Sequence, residues 1–293
     1  MKPFKYLAPE SLEAAIRLFE QHSQTAKYMA GGTDVIVKIK ERWMEPEYLI
    51  SLKKIPGLDR LNLNEATGEL TIGALVTHST LEKSLMIQTR YPIIHDAVSN
   101  IGSVQVRNVG TMGGNLINAV PSADGAIPLI ALDGTAQIAG PKGERSVAVK
   151  DLFVKPYVTV LEPGEILTKI LIPPPLPRTG SAYIKFGRRA AMELPLIGIG
   201  VLLSLAEDQQ TCQRARICLG VAAPVPLRAE KAEQFLTGKK IDDAVLEEAG
   251  KIAAGESQVR DSVRGKAWHR KEMIQVQVRR MGLKCLEIIE NTP

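Results

Sequence analysis

Residues 27–34 read Lys27-Tyr28-Met29-Ala30-Gly31-Gly32-Thr33-Asp34 and run on into VIVKIKER at 35–42, while residues 105–120 read QVRNVGTMGGNLINAV. These two stretches decide the fold. In the first, a short strand at 27–30 enters paired glycines and leaves as a helical pattern. In the second, Gly and Asn are so frequent that neither a clean helix nor a clean strand is expected. Each stretch sets two adjacent glycines beside hydroxyl or amide side chains. Glycine accepts φ > 0 and lets a backbone approach a ligand closely, and successive N–H groups can converge into an anion-binding nest. Thr33, Thr111 and Asn115 can add side-chain hydrogen bonds. Two such nests can hold a diphosphate between them without any lysine. One glycine pair alone is more often just a tight turn, so the two count together. Neither spacing matches the GxGxxG of a nicotinamide-binding loop or the GxxxxGK[ST] of an ATPase loop.

Working outward, Leu12, Ala15, Ile16 and Phe19 recur at helical spacing behind Pro9. Strands are expected at 48–52 and 69–75, and helices at 79–84 and 92–101. Ser122-Ala123-Asp124 are placed to cap a helix at GAIPLIALD, 125–133. A hairpin is expected around Gly140–Gly143 and a strand at 165–172. Pro173, Pro174, Pro175 and Pro177 then break the chain, since such a run fits neither a helix nor a central strand. The expected division is therefore a first domain at 1–175, with lobes at about 1–55 and 56–175, and a second at 178–293. Beyond the break come strands near 181–188, 196–205 and 214–222, and helices near 228–237, 242–254 and 266–289. Strands and helices alternate irregularly and no internal repeat is present, which predicts an α+β fold rather than a doubly wound parallel sheet.

The chain has 293 residues, of which 45% are hydrophobic and 24% charged, the composition of a globular protein of about two domains. Its longest apolar run, 194–205, is broken by Pro195, Gly198 and Gly200, too short to span a bilayer. The first ten residues carry no apolar signal region. A cytoplasmic protein without a membrane partner is expected. Cys212, Cys218 and Cys285 form no CxxC pair, and His22, His78, His95 and His269 lie far apart, so sequence-local zinc and iron–sulfur motifs are absent. Cys212 and Cys218 fall at even spacing on an expected strand and read as core residues. The net charge is +5. Between Gln258 and Lys284, Arg260, Arg264, Lys266, Arg270, Lys271, Arg279, Arg280 and Lys284 are opposed by only Asp261 and Glu272. Ile274, Val278, Met281, Cys285 and Ile289 recur at helical spacing there, giving an amphipathic helix with a solvated or partner-facing basic side. No basic–aromatic interleaving suggests base stacking, so no nucleic-acid partner is expected.

The strand–AGGTD–helix element, RNVGTMGGN at 107–115 and PSAD at 121–124, in this order and spacing, resemble the flavoprotein (medium) subunit of the molybdenum hydroxylases, the family that includes bacterial xanthine dehydrogenase and carbon monoxide dehydrogenase. The resemblance covers nearly the whole chain. It continues through SAYIKFGRR at 181–189, GVAAPVPLRA at 220–229 and the basic final helix. It implies a two-lobed FAD-binding domain of the vanillyl-alcohol-oxidase type, followed by a smaller C-terminal α/β domain with an antiparallel sheet. It implies one non-covalent FAD. Lys27, Tyr28, Met29, Ala30, Gly31, Gly32, Thr33 and Asp34 would wrap the diphosphate, and Thr111, Met112, Gly113, Gly114 and Asn115 would close on it from the other lobe. Asp124 would be a polar contact, Leu167 would pack near the flavin ring, and Lys185 would approach it at the domain junction. Read without the resemblance, Asp124 is a helix cap, Leu167 a strand core residue and Lys185 a solvated strand lysine.

The same resemblance implies two partners, a large subunit carrying the molybdenum cofactor and a small subunit carrying two two-iron, two-sulfur clusters. Electrons would pass from molybdenum through the clusters to FAD and on to NAD or another acceptor. No residue of this chain would be catalytic and none would bind metal. Some relatives hold a four-iron cluster on a cysteine-bearing insert, for which Cys212 and Cys218 are too few. No histidine lies in either glycine loop, so covalent histidyl attachment is not expected there. Thr33-Asp34 and PSAD look closer to xanthine dehydrogenases than to carbon monoxide dehydrogenases, which implies a purine such as xanthine as the substrate of the complex. The alternative is a stand-alone FAD-dependent oxidoreductase of the same fold, with Glu193 and Tyr183 as its candidate acid or base.

Overall fold

In the computed structural model residues 1–189 and 191–291 are described; residue 190 and the last two residues of the expected second domain, 292 and 293, lie outside them. The first lobe runs β1 (Lys5–Leu7), α1 (Leu12–His22), β2 (Ala26–Met29), α2 (Val35–Lys40) and β3 (Tyr48–Ser51). Ser11 starts α1 by accepting the Ala14 N–H on its hydroxyl. The strands form a parallel sheet in the order β1-β3-β2. One face of the sheet packs Ile50 and Ala26 against Ala15 and Phe19 of α1. On the other face Leu49 and Met29 meet Ile39 of α2, the alternation that a strand covered on both sides requires.

The second lobe runs β4 (Leu61–Leu63), β5 (Leu70–Gly73), α3 (His78–Lys83), α4 (Leu85–Arg90), α5 (Pro92–Val98), α6 (Val104–Val109), α7 (Met112–Ile117), α8 (Ala126–Ala131), β6 (Thr135–Gly140), β7 (Gly143–Ala148), β8 (Phe153–Lys155), β9 (Val158–Thr159) and β10 (Ile166–Ile172). Its main sheet is antiparallel, in the order β4-β5-β10-β6-β7. Ile72, Ile138, Ile170 and Ile172 from that sheet share one core with Leu81, Ile94, Leu116 and Leu129 from the helices. The stretch expected to be irregular, 105–120, is two six-residue helices broken at Gly110-Thr111. Ser103 and Thr111 start them by accepting the N–H groups of Val106 and Gly114. Because α6 buries no residue, it carries no apolar stripe from which periodicity can reveal a helix.

The chain ends with β11 (Thr179–Phe186), β12 (Ile197–Leu205), β13 (Cys212–Gly220), β14 (Leu227–Arg228), α9 (Glu230–Leu236), α10 (Asp243–Glu256) and α11 (Ala267–Glu290). The four strands form an antiparallel sheet in sequence order. Every residue of β12 is buried. Ile197, Ile199, Val201 and Leu203 face the core shared with α10 and α11. Gly200 points the other way, at Ile127 of α8, with room for no β-carbon (2.8 Å to Ile127 Cγ2). A strand covered on both faces reads as a continuous apolar run, which is what 194–205 is. Cys212 and Cys218 are both core residues, as their spacing suggests, yet they join different cores. A bulge between Cys212 and Arg214, where the pairing with β12 slips by one residue, inverts the alternation. No helix of the described residues is long and apolar enough to cross a membrane.

Helix α11 crosses β11 where a β-carbon on Gly180 would lie 2.0 Å from the carbonyl oxygen of Cys285. Gly180→Val must push two backbones apart, at a cost on the order of 3 kcal/mol or more. Gly255, exposed near the end of α10, has open space around its Cα. Gly255→Ala is expected to stabilise by about 0.5 kcal/mol. Urea unfolding of both variants checks the pair; equal midpoints would refute the packing account.

Candidate functional site

The two glycine stretches meet backbone to backbone. A β-carbon on Gly31 would lie 1.9 Å from the carbonyl oxygen of Val109 and 3.1 Å from the Cα of Gly110. Gly32 follows with φ +94°, a conformation open to glycine. Beside this seam lies an open cleft with about 1100 Å³ of empty volume, lined by Tyr28 through Asp34, by Thr111, Gly113, Gly114 and Asn115, and by Leu167. Four of the expected site residues lie outside the lining. Lys27 is exposed on β2. Met112 is fully buried in the second-lobe core. Asp124 and Lys185 sit at the junction with the C-terminal sheet.

The backbone donors of the two loops have different fates. On the second loop, Met112 N–H donates to Val76 O (3.0 Å), Gly113 N–H to Ala74 O (2.9 Å), Gly114 N–H to Thr111 Oγ1 (3.1 Å) and Asn115 N–H to Thr111 O (2.9 Å). These bonds zip the loop to the 74–78 segment and start α7. On the first loop, the N–H groups of Gly31, Gly32, Thr33 and Asp34 donate to no described residue. The cleft therefore has one open nest where two were expected. The second loop faces it with side chains. Thr111 Oγ1 accepts from Gly114, which leaves its hydroxyl proton to donate. Asn115 Oδ1 accepts from Gly125 N–H (3.1 Å), which leaves its Nδ2 to donate. Backbone donors on one side and amide and hydroxyl donors on the other suit an anionic ligand. Leu167, Ile101, Val106 and Leu161 add apolar wall.

Two polar side chains that line the cleft were missed in the sequence. Lys38 lines the cleft from α2; it lies one helical turn past Asp34, and that spacing was the available signal. His78 also lines it and carries no sequence signal, since an isolated Thr77–Thr111 bridge brings it to the second loop. Its backbone N–H donates to Gly110 O (3.0 Å) and its ring packs on Gly110 Cα, where an added β-carbon would meet Cδ2 at 3.2 Å. Its Nδ1 is buried without a hydrogen-bond partner among the described residues. Burial, and then the charge of Arg107, bring its imidazole down to about 4. Arg107 is fixed beside it by two bonds to Glu82, 2.8 and 2.9 Å. His78 is thus neutral at physiological pH.

Asp124 is no helix cap: the N-cap position of α8 is Gly125, and no side chain caps the helix. The carboxylate is buried and receives Tyr183 OH (2.6 Å) and Lys185 Nζ (2.7 Å), and Lys185 also donates to Asn100 O (3.0 Å). Burial pushes the Asp124 carboxyl up despite the pull of Lys185, and burial with the Asp124 charge pushes the Tyr183 phenol far up. Breaking such a pair costs about 3–5 kcal/mol. Because Gly125 also donates to Asn115, the cleft is tied through residues 124–125 to β11. Leu167 is buried at an irregularity in the β10–β6 pairing and belongs to the second-lobe core while also lining the cleft. Among the described residues no group of three or more His, Cys, Asp or Glu is placed to hold a metal.

Residues 2–175 match the family model described as FAD binding domain in molybdopterin dehydrogenase, and residues 181–285 match the CO dehydrogenase flavoprotein C-terminal domain. The carbon monoxide dehydrogenase medium chain of Afipia carboxidovorans is 33% identical, over 94% of this chain and 94% of its own. The xanthine dehydrogenase FAD-binding subunit of Escherichia coli is 31% identical, over 94% of each. The crystal structure of the Cu,Mo-CO dehydrogenase in its cyanide-inactivated form contains a chain with a TM-score of 0.92 and 32% identity, covering 98% of this chain and 100% of that one.

The imidazole of His78 gives a stability prediction. The unfolded chain takes up a proton near the ordinary 6.5 and the folded one only near 4. Its contribution is therefore whole above about pH 6.5 and is lost as pH falls toward 4, by up to about 3 kcal/mol. His78→Gln, which does not titrate, is expected to lose less stability than the parent between about pH 7 and about pH 4.5 in urea melts. Parallel losses in the two proteins would refute the assignment.

Proposed function

The chain belongs to the flavoprotein-subunit family of the molybdenum hydroxylases, and on that premise we propose that it holds FAD in the cleft between its lobes and passes electrons from the iron–sulfur clusters of a small partner subunit to an acceptor. The observation that carries this reading is the unspent row of N–H groups from Gly31 to Asp34, set across the cleft from the free donors of Thr111 and Asn115. A diphosphate needs such a row of donors, and a flat ring needs the apolar wall that Leu167 continues. FAD, when bound, supplies the redox chemistry.

In this reading the chain's own residues bind, orient and exclude water. Gly31 through Asp34 donate to the diphosphate, Gly32 turning the backbone toward it. Thr111 and Asn115 donate from the facing side. Gly114 keeps the gap open, since a β-carbon there would lie 2.9 Å from Thr111 Oγ1 and 3.7 Å from Ala30 Cβ. Tyr28, Met29 and Ala30 form the floor under the nest, Met112 anchors α7 from the core, and Lys27 stays on the outer side of β2. Asp124 and Lys185 act as a pair that fixes the C-terminal sheet beside the cleft. We read 1–175 as the cofactor unit and 178–293 as the unit that positions it among its partners.

Neither candidate for independent chemistry is free. Tyr183 OH is bound to Asp124, and the Glu193 carboxylate accepts from Arg188 and Arg189. Neither residue lines the cleft. That favours an electron carrier, serving a large molybdenum subunit and a small iron–sulfur subunit, over a stand-alone oxidoreductase. Relatives named for carbon monoxide and for xanthine differ little in identity, 33% and 31%. A purine substrate for the assembly therefore rests on Thr33, Asp34 and the 121–124 segment, and the acceptor in this reading is NAD or another electron carrier.

The full chain is expected to bind one FAD. Gly114→Val should yield folded but colourless protein; a variant that keeps full flavin occupancy would displace the second loop from the site. The isolated, flavin-loaded chain should take up electrons from dithionite yet oxidise no purine or aldehyde. Turnover by the pure chain would overturn the carrier reading in favour of a stand-alone enzyme.

A further inference from the structure

We propose that Lys38 is the cation that balances the diphosphate of FAD, held ready by neutral partners from the opposite lobe. This rests on the cleft being the FAD site. Among the residues lining the cleft Lys38 is the one lysine or arginine. Its backbone N–H donates to Asp34 O (2.9 Å), which fixes it one helical turn beyond the open nest. Its Nζ lies 2.5 Å from Asn118 Oδ1 and 5.2 Å from the centre of the Tyr157 ring. Both partners are uncharged and both belong to the second lobe. Asn118 follows directly on α7, and Tyr157, with φ +65°, is tied to the same segment by its N–H to Ala119 O (2.8 Å).

An amide oxygen and a ring face orient an ammonium without cancelling its charge. The carboxylates of the cleft do not cancel it either. Glu165 is taken by two bonds from Arg145, each 2.7 Å, and Asp34 is exposed and meets Thr33 Oγ1 at 3.5 Å. A half-buried ammonium without a counter-ion is poorly solvated, and an anion entering the cleft relieves that. Hydrogen bonds to charged groups are among the stronger ones. Nest, hydroxyl, amide and lysine together then surround the diphosphate with donors, one of them carrying full charge.

The competing role for Lys38 is a purely structural latch between the lobes through Asn118. Three variants of the full chain separate the two. Lys38→Gln keeps a donor for Asn118 and loses the charge. Lys38→Arg keeps the charge. Asn118→Asp strengthens the latch but gives Lys38 a carboxylate. FAD titration of the deflavinated protein at several salt concentrations is the readout, with thermal melts without FAD as the check on folding. We expect Lys38→Gln and Asn118→Asp to bind FAD about tenfold more weakly at low salt, with a shallower salt dependence than the parent, and Lys38→Arg to stay near it. If Lys38→Gln binds with the parent's affinity and salt slope, or if Asn118→Asp binds more tightly, Lys38 is only a latch and the proposal fails. If the parent chain itself takes up no FAD, the cofactor assignment of the cleft fails instead.

Discussion

The carbonyl of Val109 lies so close to the Cα of Gly31 that no side chain fits between them. The rest of the site follows from that contact. It sets how near the two lobes come, and so the width of the cleft beside them. It also explains why the first loop keeps its donors. With Gly31 pressed against the neighbouring lobe and Gly32 at positive φ, the following amides turn away from any strand partner. The second loop, by contrast, satisfies its own backbone first and meets the cleft with side chains. N–H groups without a protein partner in an open cleft are left to water, and a ligand that offers acceptors can take the place of that water.

From the cleft the constraint passes outward through polar contacts as well as through the shared apolar core. Asn115 holds Gly125, the adjacent Asp124 holds Lys185 and Tyr183, and both of those lie on β11. A second polar anchor joins the same units elsewhere. Asp133, just past α8, takes Arg216 at 3.1 Å and Arg228 at 3.6 Å from the C-terminal sheet, together with Arg214. Glu233 of α9 accepts the Ile217 N–H and pairs with Arg228. Buried ion pairs contribute little net stability but penalise wrong arrangements strongly. Two ionic anchors on one junction, buried at Asp124 and half-buried at Asp133, fix how the C-terminal sheet is seated.

Much of the fold was legible because its signals are local. The glycine pairs declare a backbone constraint whatever surrounds them, and the apolar run 194–205 declares a strand covered on both faces. The remainder depended on partners distant in sequence. Asp124 in front of a helix has every local mark of a cap, and only the arrival of Tyr183 and Lys185 turns it away. Helix α6 buries no residue and starts on Ser103, and α7, six residues long, shows only Met112 and Leu116 to the core, so periodicity passed over them. Even spacing put Cys212 and Cys218 on one face, and a single bulge separated them. In the cleft, Met29 to Asp34 and the second loop stood out by their glycine chemistry, while Tyr28 and Leu167 came only with the family resemblance. His78 was not, because a lone histidine acquires its meaning from the loop it packs against.

Strand β12 has a consequence for how the molecule holds together. The prolines at 173–177 are where the sequence leads one to expect a boundary, yet Tyr183, Leu202 and Cys218 from beyond them belong to the same apolar cluster as Ile94, Ile127 and Ile170 before them. Their shared core makes the two parts thermodynamically interdependent. Cut at the prolines, each would expose an apolar face that the other covers. Heat or denaturant should melt them in one cooperative step. Modularity here is a property of the topology, while cooperativity belongs to the whole chain.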